Sequence, residues 1–306
     1  MVRKPKFAYG ILLAMMTMGA DLQASSSGDA RALKDRAREV LRHAMATEKG
    51  WVKVHAAEAL LPVGDVGLVR GTFCTELTLG DDLPHRIGVW RVLAAASVSA
   101  EERAGWIRRI EEVFLQPTSP DRLQSVETLA KLRHVLTGRA RDAANAMIRD
   151  ASEADVVIAW WATALTGDKG AMRGLRDALA SRDPVARQRA AYALRWLKVN
   201  DEQTLAALAI AANTEPPDTL SFPNLLSSAL ILRADATCFK AWQTNLERVV
   251  ETGSAAARYE ACQALMLSYE ESDIPRLIPL LTDPHGDARI GAAWAIVTIL
   301  NRNHGR

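Results

Sequence analysis

Residues 183–198 read DPVARQRAAYALRWLK, and residues 283–300 read DPHGDARIGAAWAIVTIL. Both stretches carry an Asp-Pro pair and then Arg-x-x-Ala-x-x-Ala followed by an aliphatic residue: Arg187, Ala190, Ala193, Leu194 in one, Arg289, Ala292, Ala295, Ile296 in the other. Spacings of three and four put these positions on one stripe of a helix, and alanine on that stripe lets a second helix approach closely. An Asp ahead of a Pro supplies an N-cap before a residue whose ring suits the first helical position. A helix is expected over each stretch.

The pattern recurs, more loosely, along the chain. Its last aliphatic position falls at Leu60, Leu93, Leu129, Leu165, Leu194, Leu230, Leu265 and Ile296, 29 to 36 residues apart. Amphipathic stretches lie between these segments, at 29–47, 101–115, 139–150, 169–181, 201–213, 239–251 and 273–281. Each repeat is therefore expected to be a hairpin of two helices, with Gly64, Gly138, Gly167 and Gly253 at helix ends. Pro216-Pro217 opens the longest irregular connection, which runs to about Phe222. A hairpin with one apolar stripe cannot bury it alone, so successive copies must stack. The composition agrees: 49% apolar, only 6% aromatic, rich in Leu and Ala and without a linker, it reads as one all-α body over residues 25–306.

Several repeat families have hairpins of this length. The Thr-Pro-Leu-His turn of ankyrin repeats and the Trp, Leu-Gly, Tyr pattern of tetratricopeptide repeats are missing. The Asp-Pro pair with Arg-x-x-Ala-x-x-Ala-Leu resembles HEAT repeats of the short bacterial kind, most closely at 183–198, at 283–300 and from Arg258. The likeness covers nearly all of the chain beyond residue 24. It implies an α-solenoid, a right-handed or gently curved superhelix of about eight HEAT-like hairpins roughly 70 Å long. It also implies second helices that line a concave face, and a role as a binding scaffold.

Residues 1–24 read as an address. Arg3, Lys4 and Lys6 precede a charge-free apolar run from Phe7 to Ala20, and small Ala24 follows. That is the pattern of a signal peptide, too short to span a membrane, so the expectation is an exported protein, periplasmic or secreted after cleavage near Ala24, with peripheral or no membrane contact. Removing Arg3, Lys4, Lys6 and Asp21 takes the formal charge from +2 to zero, with acidic and basic residues interspersed. Nucleic acid is thereby excluded as an expected partner, because binding it takes a clustered basic surplus. Cys74, Cys238 and Cys262 read as small buried apolar residues. Cys238 and Cys262 lie fifteen and nine residues from a turn at Gly253, an axial offset of roughly 9 Å that is too long for a disulfide.

No metal-ligand spacing, nucleophile elbow or phosphate loop occurs, so neither a cofactor nor a catalytic residue is expected. The positions between the two small residues form a ladder: Glu58, Arg91, Glu127, Thr163, Tyr192, Ser228, Gln263 and Trp294. Its first rungs alternate in charge, which predicts either ion pairs between repeats or a polar groove. His55, Glu58, Arg86, Trp90, Arg91, Glu127 and Trp160 are the candidate ligand-binding residues of such a groove, where rings beside charged groups would hold a small molecule or glycan. The last helix is apolar nearly all round, which makes Trp294, Ile299 and Leu300 a candidate contact edge for a protein partner or a second copy of the chain. The expected function is a non-catalytic scaffold for protein–protein interaction, with small-ligand or glycan binding as the second reading and an enzyme as the third.

Overall fold

The computed structural model describes residues 10–77 and 85–303, with side chains for 28–77 and 85–302. The segment 1–24, expected to be a signal peptide, lies outside the residues whose side chains are described. The chain is all-α, with no strand among the described residues.

The eight motif segments form the second helix of each hairpin: α2 (Gly50–Leu60), α4 (Arg86–Ala95), α6 (Arg122–Lys131), α8 (Glu153–Ala164), α10 (Pro184–Leu197), α12 (Phe222–Leu232), α14 (Ala255–Ser268) and α15 (Gly286–Asn303). The first helices are α1 (Gly10–Thr47), α3 (Val66–Glu76), α5 (Ala100–Phe114), α7 (Gly138–Asp150), α9 (Lys169–Ala178), α11 (Glu202–Thr214) and α13 (Phe239–Thr252). Local chemistry starts and stops them. Ser99, Ser152, Asp168, Asp183, Asp201 and Ser254 each accept a hydrogen bond from a first-turn N–H. Gly167 follows α8 at φ +82°, where a Cβ would be strained.

Two local expectations fail for identifiable reasons. The stretch 273–281 is not an α-helix but two short 3-10 helices, Glu271–Arg276 and Ile278–Thr282, because Pro275 and Pro279 remove the N–H groups an α-helix needs there. Cys74 is exposed and Cys238 half-buried, so only Cys262 sits in the core, where burial pushes its thiol up to about 12. Cys74 follows Phe73 on α3, and the helix turns one inward and the other outward.

Each second helix packs on the next, in the order α2, α4, α6, α8, α10, α12, α14 and α15, and the first helices lie outside them. The small motif positions make this possible: Ala190, Ala193, Ala292 and Ala295 are completely buried. The row does not end at α15, which packs against both α1 and α2. Gly286 marks how close that approach is, since a Cβ there would lie 2.5 Å from Cγ1 of Val52.

The motif arginines repeat the same relation at several joints, Arg122 excepted, whose Nε donates to the carbonyl of Phe114. Arg86 bonds Asp121 at 2.9 Å, Arg187 bonds Glu215 at 2.7 Å and Arg258 pairs with Asp283. Each acid lies in the connection that leads into the next inner helix. Arg289 of α15 bonds Glu48 at 2.5 Å, in the connection that leads into α2. The last repeat thus treats the first as its successor, and the inner helices form a closed circuit. The candidate contact edge is covered within the chain: Ile299 and Leu300 are buried, and Trp294 is half-buried against the core.

Candidate functional site

Closure turns the inner faces of the helices toward one another and assembles a polar network from residues far apart in the chain. Arg91, only 5% exposed, donates through Nε to Glu58 at 2.5 Å, and its Nη1 lies 3.5 Å from Oγ1 of Thr128. Lys131 pairs with Glu127 at 2.7 Å and sets its ammonium 5.1 Å from the centre of the Tyr192 ring. Arg195 lies over the same ring at 4.8 Å and forms a two-bond ion pair with Glu260, sixty-five residues away. At the joint between α15 and α2, His55 donates through Nδ1 to Asp287 at 2.9 Å and stacks on Tyr259 with 4.9 Å between ring centres.

Burial would raise the Glu58 and Glu127 carboxyls, but the positive charges of Arg91 and Lys131 outweigh it and hold both below their ordinary value of 4.5. A carboxyl depressed on folding stabilises the fold above its unfolded value and loses that contribution as pH falls through the folded value. The Lys131 ammonium, held above 10.5 by Glu127 against the effect of burial, contributes below 10.5 and loses its contribution above the raised value. The melting temperature is therefore expected to be flat from about pH 6 to about pH 9 and to fall as the pH drops below about 4.5. Scanning calorimetry across pH 3 to 8 checks this, and a Tm unchanged between pH 6 and pH 3 would contradict it.

The candidate ligand residues divide into two groups. His55, Glu58, Arg91 and Glu127 come together in the inner network. Trp90 and Trp160 do not join them: Arg109 of outer helix α5 covers Trp90, and Trp160 packs on Gly174 of outer helix α9. Arg86 spans the network's edge, with its guanidinium on Asp121 and over the Trp90 ring. Of the ladder, Glu58 and Arg91 pair between repeats, whereas Glu127 pairs with Lys131 on its own helix and His55 bonds Asp287, so the inner-network members of the expected groove already have partners.

An open site lies on the other half of the circuit. A cleft of 780 Å³ opens where α10, α12 and α14 begin, with Glu127, Tyr192 and Glu260 at its inner end. Its far wall is the connection after Pro216-Pro217. Glu215 shapes that wall: it is buried, takes two bonds from Arg187 and accepts hydroxyl bonds from Thr219 and Ser221, both at 2.5 Å. The polar cleft residues Gln188, Arg189, Asp218 and Asn224 are absent from the sequence-based candidates. The irregular connection was the available signal, since a proline pair followed by Asp and Thr breaks the helical pattern where the wall forms. No family model and no curated protein matches the chain. Among the described residues, no three His, Cys, Asp or Glu side chains are grouped to hold a metal ion, and no helix is long and apolar enough to cross a membrane.

Proposed function

We propose that this protein is a non-catalytic binding protein, a HEAT-like repeat array closed on itself, and that its ligand occupies the cleft at the start of α10, α12 and α14. The observation that carries this reading is the cleft itself. Its 780 Å³ lies within the roughly 300–1,000 Å³ of ligand pockets, and its walls mix apolar side chains with a few polar ones. The carboxylates at its inner end favour binding over catalysis. Glu127 is ion-paired and held ionised well below neutral pH, so it is not poised to exchange a proton near pH 7, and Glu260 is bonded to Arg195. A scaffold role through the C-terminal edge has less to rest on, because Ile299 and Leu300 are already covered within the chain.

Ala256 lies exposed on the first turn of α14 and lines the cleft, so Ala256→Trp fills the site without entering the core. Thermal-shift screening of the full chain against metabolites, short peptides and oligosaccharides is expected to find ligands that raise Tm in the parent protein and not in Ala256→Trp. Ligands that stabilise both proteins equally would place binding elsewhere and overturn the reading.

A further inference from the structure

The polar groups of the cleft have hydrogen-bonding capacity that the fold does not use. Asn224, on the first turn of α12, is 8% exposed, lines the cleft and forms no hydrogen bond among the described residues. The amide still reaches solvent, so its donors and its acceptor are open to a ligand in the cleft. Gln188 on neighbouring α10 presents a second carboxamide without a bond among the described residues. A carboxamide sets an acceptor beside a donor, and the group that satisfies both is another amide. Val185, Leu220, Pro223 and Val249 give the same cleft apolar walls.

The charges are also divided. Arg189 spends one N–H on Asp155 at 2.7 Å and keeps the remainder of its donor fork, while Asp218 stands exposed on the rim without an ion pair among the described residues. A sugar ligand would want an open aromatic face, and Tyr192, the aromatic side chain that lines the cleft, already has Lys131 and Arg195 over its ring. A phosphorylated ligand would find one cation lining the cleft, Arg189, already bonded to Asp155, since Lys131 and Arg195 are taken by Glu127 and Glu260.

Resting on the binding role proposed above, we infer that the cleft takes a short peptide with free ends. Asn224 and Gln188 bond its main-chain amides, Arg189 its carboxylate and Asp218 its ammonium, and an apolar side chain lies against Val185 and Val249.

Calorimetric titration of the full chain with Ala-X-Ala tripeptides, X being Ala, Val, Leu, Ile, Met or Phe, tests this. At least one is expected to bind, more weakly by about tenfold in Asn224→Leu and in Asp218→Asn, as the loss of one good polar contact predicts. Acetylating and amidating the ends is expected to weaken it by about a hundredfold. Asp218 is exposed, so its variant stays informative if Asn224→Leu folds poorly. No binding at about 1 mM peptide, or equal binding of the blocked peptide, would overturn the inference. Maltose titrated in parallel separates this failure from that of the binding role. If maltose binds the parent protein and not Ala256→Trp, the cleft remains a binding site and the peptide assignment falls.

Discussion

Replacing Ile299 by Asp is expected to destabilise the folded protein by about 4 kcal/mol or more, because it puts a carboxylate without a partner at a completely buried position of α15. Chemical denaturation followed by circular dichroism measures the loss. The size of the effect separates two accounts of the apolar last helix. If α15 were an open edge waiting for another protein, the same change would leave folding nearly intact, as surface changes do, and would act on association instead. A variant within about 0.5 kcal/mol of the parent would contradict the closed circuit.

Glu260→Leu is the second large effect, expected to cost about 3–5 kcal/mol because it strands the buried Arg195 guanidinium. The double variant Arg195→Met with Glu260→Leu is expected to recover most of that loss, since two apolar side chains of similar size replace a pair whose burial has its own cost. A double variant as unstable as the sum of the single ones would show that the two residues act independently. The pair joins α10 to α14 across α12, so the measured coupling also reports whether the inner faces meet as described.

The sequence shows the parts of this molecule more clearly than the way they meet. Helix positions are legible because Arg-x-x-Ala-x-x-Ala-Leu and its capping residues are local signals, and the Glu58 to Arg91 pair follows from charges one repeat apart. Arg195 with Glu260 and Arg289 with Glu48 are not legible in that way. They depend on the curvature that small differences in helix packing accumulate over eight repeats, and no short spacing encodes a contact between residues 48 and 289. Trp90 and Trp160 illustrate a second limit. A tryptophan on a two-faced helix can serve the joint with its own hairpin partner as well as the inner face, and glycine on the facing helix, Gly174 in the case of Trp160, is what decides. The cleft was hidden for a related reason, because its polar residues come from three repeats and an irregular connection whose course Glu215 sets. The 3-10 segment at 271–282 was legible in principle: Pro275 and Pro279 stand in plain view, and proline inside a helical pattern outranks the pattern.

Closure of the first repeat on the last is the central claim, and the most direct test is a covalent one. A Cβ on Gly286 would sit 2.5 Å from Cγ1 and 3.5 Å from Cγ2 of Val52, which brings the two Cβ positions near the spacing of about 3.5–4.5 Å found in disulfides. The measurement is non-reducing electrophoresis with thiol titration of Val52→Cys with Gly286→Cys, in a background where Cys74, Cys238 and Cys262 are Ala, after mild oxidation. The closed circuit predicts a fast-migrating monomer with no free thiol. Two free thiols, or cross-links formed only between molecules, would contradict it.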